Sequence, residues 1–284
     1  MTWTAYQVVF KLKSPMHIGC GKVGNVQRTR PYVTGRVFWG ALTMRLTRDA
    51  TSGSATNSSQ YKVFGDQVDS QLAYTYFYPT TDPGGLIEWP WGENENLFRR
   101  RFLSSYTSTA LVYPQQAADE GLLHEVEFLS PRTLDEGKHV YLIGYVFEKE
   151  NCTLNWQDAC QGLQFGGERG YGWGDVKCVE IKPLEKHDDK YDLFDGQADL
   201  IDNQDQPIIQ AERLLAHASS TGITATGEIE PMVGREWRSH NPTNRYAGQH
   251  IENFDDLCWV PGSIVQQSDF TIKEFGIWEK PITP

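Results

Sequence analysis

The ten residues from Phe165 to Gly174 place five glycines in nine positions and set Arg169, Tyr171 and Trp173 between them. Glycine takes up backbone with φ > 0 and lets another backbone approach closely, so this run must form a tight loop and cannot continue a helix or a strand. An arginine offers a fork for phosphate, and two aromatics offer stacking faces. A strand-like segment, Asp175 to Ile181, follows at once. The run reads as a polynucleotide-gripping loop, with Gly170 and Gly172 expected to reject β-branched replacements. A plain tight turn, its glycines serving only the turn geometry, is the alternative.

Charge distribution favours the first reading. Between Met1 and Arg48 stand eight basic residues (Lys11, Lys13, Lys22, Arg28, Arg30, Arg36, Arg45, Arg48) and no Asp or Glu, in a chain of net charge −11. The other 236 residues hold 18 basic against 37 acidic side chains, a balance of −19. Binding follows the local field rather than the sum, and a one-sided basic segment is the footprint expected of phosphate contacts. A basic interface against an acidic protein neighbour would leave the same trace.

With 284 residues, 39% of them hydrophobic, the chain can bury one large core or two modest ones. No apolar run reaches membrane-spanning length and no signal-peptide order opens the chain, so a cytoplasmic setting without membrane contact is expected. Five cysteines (Cys20, Cys152, Cys160, Cys178, Cys258) are scattered and odd in number. Neither a disulfide framework nor a metal site is indicated, and no cofactor is expected.

Period-two alternation from Ala5 to Lys13 predicts an amphipathic strand ending at Ser14-Pro15. Thr34 is a plausible N-cap for a helix whose apolar positions are Val37, Phe38, Ala41, Leu42, Met44 and Leu46, followed by a polar mobile stretch from Asp49 to Ser59. Leu123–Leu129 and Val140–Phe147 read as two strands of a hairpin-like pair, and a short helix from about Asn155 to Leu163 leads into the glycine loop. The order strand, helix, two strands, helix, strand predicts an α+β, ferredoxin-like (RRM-like) βαββαβ domain over 1–181, with a long insertion at about 50–121 and a C-terminal extension over 182–284 that packs on the domain or extends it. Tyr6 and Phe10, on the first strand, are read as core rather than as base-stacking residues.

Several segments together resemble the RAMP superfamily of CRISPR-associated proteins: Leu12–Gly19, Arg30–Leu42, Phe64-Gly-Asp66 and Gly166–Gly174 in that order. The likeness covers roughly Tyr6 to Ile181. It implies a subunit of a type III RNA-guided effector complex, partnered by CRISPR guide RNA and by other RAMP and large-subunit proteins, with target RNA met indirectly.

Three roles exist within that superfamily: capping the 5′ handle of the guide, forming the repeated backbone that in type III systems can cut target RNA, and processing the precursor. Cutting by a backbone subunit would call for an acidic residue between the first strand and first helix, and Gly19–Thr34 contains none. Asp66 and Asp69 are the substitutes within the insertion. His17 is the candidate base for metal-independent cleavage, or else a strand-end histidine that binds phosphate or satisfies a backbone carbonyl. The reading is a non-catalytic RNA-binding subunit. Phosphates would be held by the amides around Gly166, Gly167, Gly170, Gly172 and Gly174, by Arg169 as a fork, and by Lys11, Lys13, His17, Arg28, Arg30, Arg36 and Arg45, with bases against Tyr171 or Trp173. Arg99, Arg100 and Arg101 in the insertion add a basic cluster, suited either to phosphate or to a solvated face. A metal-dependent target-RNA nuclease, a precursor-processing endoribonuclease and a protein-interaction module without RNA contact are the other readings.

Overall fold

The computed structural model describes residues 3–52, 58–113, 117–118, 121–188, 190–201, 206–236, 250–266 and 269–281. The polar stretch from Asp49 to Ser59 lies partly outside them, at 53–57. Through residue 183 the order is β1 (Trp3–Leu12), β2 (Gly19–Val23), β3 (Val26–Thr29), α1 (Gly35–Ala50), α2 (Ser58–Gln71), β4 (Leu72–Tyr74), β5 (Tyr78–Thr80), α3 (Glu95–Phe102), β6 (Leu103–Ser108), β7 (Leu111–Val112), β8 (Ala117–Ala118), β9 (His124–Leu129), β10 (Tyr141–Lys149), α4 (Trp156–Ala159) and β11 (Val176–Pro183). Among the described residues strand predominates over helix.

The central sheet has the antiparallel order β11–β1–β10–β4, and β5 continues the β4 edge along β10. Alternation along β1 sorts its residues between two cores. Val8, Phe10 and Leu12 face α1 and α4 with Phe38, Leu42, Trp156 and Phe165. Trp3 and Ala5 face the other way, with Tyr145 and Phe147 of β10. Phe10 is fully buried against Phe77 and Phe165, at ring separations of 5.5 and 5.2 Å, and half-buried Tyr6 packs edge-on against Trp156. Contacts of this kind add roughly 0.5–1.5 kcal/mol each beyond burial. Thr34 caps α1, its hydroxyl accepting from the Val37 N–H.

Three expectations are corrected here. Leu123–Leu129 and Val140–Phe147 do not form a hairpin: β9 pairs with β6 and, in parallel, with β3, so the four strands β2–β3–β9–β6 make a separate side sheet. The strand beside β10 is instead β4 with β5, from the segment expected to be an insertion. That segment is no single projection: α2 packs on α1, β4 and β5 complete the central sheet, and only the part from α3 to β8 lies outside it. Packing explains the choice, because Tyr74, Phe77 and Tyr78 fill both cores from this edge while β9 has Val126 and Leu129 to bury elsewhere.

Residues from Lys190 to Glu279 build an eight-stranded sheet, among the described residues, that closes the second core over the central sheet with Leu193, Leu200, Ile209, Phe270, Ile272 and Trp278. A polar chain pins it to the N-terminal hairpin. Arg30 Nη1 donates to Glu230 Oε1 at 2.7 Å, His217 Nε2 meets the same oxygen at 2.5 Å, and the Tyr76 hydroxyl lies 2.7 Å from His217 Nδ1. Neutral His217 satisfies both bonds if Nε2 carries its proton and Nδ1 accepts from Tyr76.

Burial holds His217 below the usual imidazole range, although Glu230 pulls the other way. Burial alone would raise Glu230, but the bonds from His217 and Arg30 outweigh it and bring its carboxyl down to about 2. Both groups take up protons more readily in the unfolded chain. Stability is therefore full above about pH 6.5, falls as His217 is asked to charge, and falls again between the ordinary glutamate range and pH 2. Glu230 contributes about 2 kcal/mol after allowance for its partial exposure. Urea unfolding should show the gap between the parent and Glu230→Gln closing as pH drops below about 4.5. A gap that stays constant from pH 7 to 3 would contradict this assignment.

Candidate nucleic-acid interface

The glycine loop is stitched at both ends to the turn that follows β1. Phe165 N–H donates to the Gly174 carbonyl (2.9 Å), Gly174 N–H to Pro15 O (2.7 Å), and Gly167 N–H to His17 O (2.8 Å). Gly166 and Gly174 both have φ near +80°, and a Cβ on either would fall 2.2 Å from His17 O or 1.9 Å from Phe165 O. These two glycines make the loop possible. Gly170 and Gly172 face open space, with only Gly172 at positive φ, so the expectation that they carry the steric constraint moves to Gly166 and Gly174. Phe165, fully buried, anchors the entrance.

Beyond this stem the apex is presented outward. Tyr171 is 82% exposed. Arg169 curls back, Nε donating to Gly166 O at 3.0 Å and Nη1 reaching Met44 Sδ at 3.5 Å on α1. Burial, with Arg48 nearby, lowers its pKa. A guanidinium remains charged under any such shift, so the effect is a positive group held near a second one. Trp173 packs edge-on against Phe128 of β9 (5.1 Å) and Tyr106 of β6 (6.3 Å), neither of which the sequence reading singled out. Their signal was the period-two pattern of their strands, which does not say which face meets the loop.

Four of the eight basic residues of the N-terminal segment are ion-paired from within. Lys13 pairs with Asp175 (2.8 Å), Arg28 with Glu127 (3.0 Å), Arg30 with Glu230 (2.7 Å) and Arg45 with Asp49 (2.6 Å), and Arg36 lies over the Phe275 ring at 5.9 Å. Lys11, Lys22 and Arg48 have no carboxylate at ion-pair distance among the described residues. The arginine cluster divides likewise. Arg99 pairs with Glu127 (2.5 Å), Arg101 meets Glu88, Asp135 and Glu136, and exposed Arg100 has no carboxylate at ion-pair distance among the described residues. Asp49 pairs locally with Arg45, but Glu127, Asp175 and Glu230 are brought to the run from distant sequence positions, which a count along the chain cannot foresee.

His17 is buried, and its Nδ1 lies 2.7 Å from Glu127 O. A carbonyl only accepts, so Nδ1 carries the proton and the ring is fixed as a strand-end support for the side sheet. Asp66 is exposed on α2 and paired with Lys62 at 2.6 Å; Asp69 is one turn further along the same helix. Among the described residues no three His, Cys, Asp or Glu side chains are grouped as a metal would need, and no helix is long and apolar enough to cross a membrane.

No protein-family model matches the chain, and no curated protein does. Solved structures give distant likenesses. A chain of the cryo-EM structure of the type III-B Cmr-beta complex bound to cognate target RNA and AMPPnP aligns with TM-score 0.48 at 12% identity, covering 91% of this chain and 85% of its own. Another, from Cmr-beta bound to cognate target RNA, gives 0.41 at 11% identity over 63% of this chain and 96% of its own. A third, from the apo state of Cmr-beta, gives 0.36 at 10% identity over 64% and 98%. Scores of this size assign neither fold nor role.

Proposed function

We propose that this chain is a non-catalytic RNA-binding subunit of a type III CRISPR effector, gripping guide RNA at the glycine loop and meeting neighbouring subunits of the complex. The RAMP-like segments supply the family expectation, and the central sheet supports it: taking β1, β4 with β5, β10 and β11 as the four strands gives the 4-1-3-2 order of a ferredoxin-like βαββαβ unit. One observation carries the reading. A loop clamped at both ends by Gly166 and Gly174 holds Tyr171 in solvent and Arg169 beside Arg48, both without a carboxylate partner among the described residues. The amides of Gly167, Gly172 and Gly174 donate within the fold, which leaves the Arg169 fork and the Tyr171 ring to meet one strand of phosphates. The 5′-handle position is preferred over the backbone position because no carboxylate lies between Gly19 and Thr34.

Arg28 and Arg30 do not belong to this grip, since each is committed to a partner inside the fold. Arg45 is likewise held by Asp49, so the phosphate contacts reduce to Arg169, Arg48, Lys22 and Lys11. Guide RNA affinity should fall with salt by a log–log slope of several units, and Arg48→Ala with Lys22→Ala should reduce that slope by about two. Arg169→Ala should fold and yet load guide poorly. A flat salt response, or an Arg169→Ala and Trp173→Ala pair that protects guide from nuclease like the parent, would remove RNA from the loop.

A further inference from the structure

The side sheet sorts its charges by face. Directly paired residues share a face, which groups Lys22 of β2 with Gln27 of β3, Gln27 with Val126 of β9, and Val126, Phe128 and His124 with Tyr106, Ser104 and Ser108 of β6. Glu125 and Glu127 fall on the reverse face, where Glu127 takes Arg28 and Arg99. None of the eight residues on the first face is acidic, in a chain with 37 acidic side chains. Trp173 reaches this same face from the glycine loop and touches Tyr106 and Phe128. Tyr106 remains 59% exposed. Ser108 Oγ and His124 Nε2 are 2.8 Å apart at the far end.

We infer that this face is a track for single-stranded RNA that continues from the glycine loop, with Tyr106 as its base-stacking residue. The inference rests on the RNA-binding reading above and adds a surface to it. Continuity with the loop sets the direction, and the absence of carboxylates removes the repulsion that most of this acidic chain would offer a polyanion. An exposed tyrosine steadied edge-on by Trp173 presents a ring to an unstacked base, and Lys22, Gln27, Ser104 and Ser108 can bond phosphate or 2′-hydroxyl groups. A duplex keeps its bases stacked within itself and gains nothing from Tyr106.

The test is fluorescence anisotropy of the full chain with a labelled single-stranded RNA dodecamer and the matching duplex, at one low salt concentration. Tyr106→Ala should raise the Kd for the single strand about tenfold, in the range produced by one lost stacked base. Tyr106→Phe, which keeps the ring, should bind like the parent, and both should melt with it because the side chain is exposed. The duplex should bind more weakly than the single strand. If Tyr106→Ala binds like the parent while Arg169→Ala is impaired, the track is wrong and the loop reading stands. Equal affinity for duplex and single strand would also overturn stacking. A parent chain that binds neither RNA would overturn the track together with the function it rests on.

Discussion

Gly174→Ala is expected to destabilise the protein by more than about 4 kcal/mol, enough to prevent folding in a marginally stable domain. Two costs add. At φ near +80° an L-residue pays roughly 1–2 kcal/mol for the left-handed conformation alone. The new methyl would then stand 1.9 Å from Phe165 O and 3.2 Å from Phe165 N, both backbone atoms that cannot swing aside. Relief requires opening the Phe165–Gly174 and Gly174–Pro15 hydrogen bonds, which detaches the loop from β1. Gly166→Ala should behave similarly against His17 O. Gly170→Ala, whose methyl meets nothing within 4 Å and whose φ is ordinary, should lie within about 0.5 kcal/mol of the parent. Urea midpoints of the three variants decide the matter: a Gly174→Ala protein as stable as the parent would mean that the loop is not clamped as described.

This division of labour among the glycines also marks what a sequence can and cannot disclose. All five look alike in the string. Only the position of Pro15, His17 and Phe165 across the stem distinguishes the two glycines that a Cβ would jam, Gly166 and Gly174, from Gly167, Gly170 and Gly172, of which Gly172 is constrained by its positive φ alone. β1, the Thr34-capped α1, β10 and β11 were legible because each carries its own alternation or cap, whereas the helix expected from about Asn155 to Leu163 is a single α-turn, Trp156–Ala159, that Asn155 does not cap. β9 was legible as a strand but not by partner, since Val126 and Phe128 alternate identically beside β6 or beside β10. β4 and β5 were hidden: three residues each, interrupted at Thr75 to Phe77, they are too short to show a period. Thr75 fills the break, its N–H donating to Tyr145 O and its hydroxyl accepting from Tyr145 N–H, so the sheet edge stays satisfied without a continuous strand. The candidate site follows the same rule. Arg169, Tyr171 and Trp173 were visible because they sit within the loop. Phe128, Tyr106 and the pairing of Arg28 and Arg30 depend on contacts across about 45 to 200 residues of chain.

Glu127→Ala should be the second large effect, a loss of about 3–5 kcal/mol from one side chain of the side sheet. Three donors converge on this carboxylate: Arg28 Nε at 3.0 Å, Arg99 Nη2 at 2.5 Å and the Thr29 N–H at 3.0 Å. Its side chain is only 12% exposed, and those of Arg28 and Arg99 are about a third exposed. Removing the acceptor leaves two guanidinium groups facing each other and a backbone N–H of β3 without its bond, which costs more than the pair itself is worth. Removing either arginine singly leaves the carboxylate two donors, so Arg28→Ala or Arg99→Ala should cost about 1 kcal/mol, and Glu127→Gln, which retains one acceptor oxygen, should fall between. Exposed Arg100, in the same helix turn, serves as the control and should be near neutral on substitution by alanine. Because Glu127 ties α3 to β3 beneath the face that bears Tyr106, the Glu127→Ala sheet should also lose hydrogen-exchange protection in β3 and β9 before the central sheet does. A Glu127→Ala protein that melts with the parent, or one that loses protection uniformly, would show that the carboxylate does not hold the side sheet together.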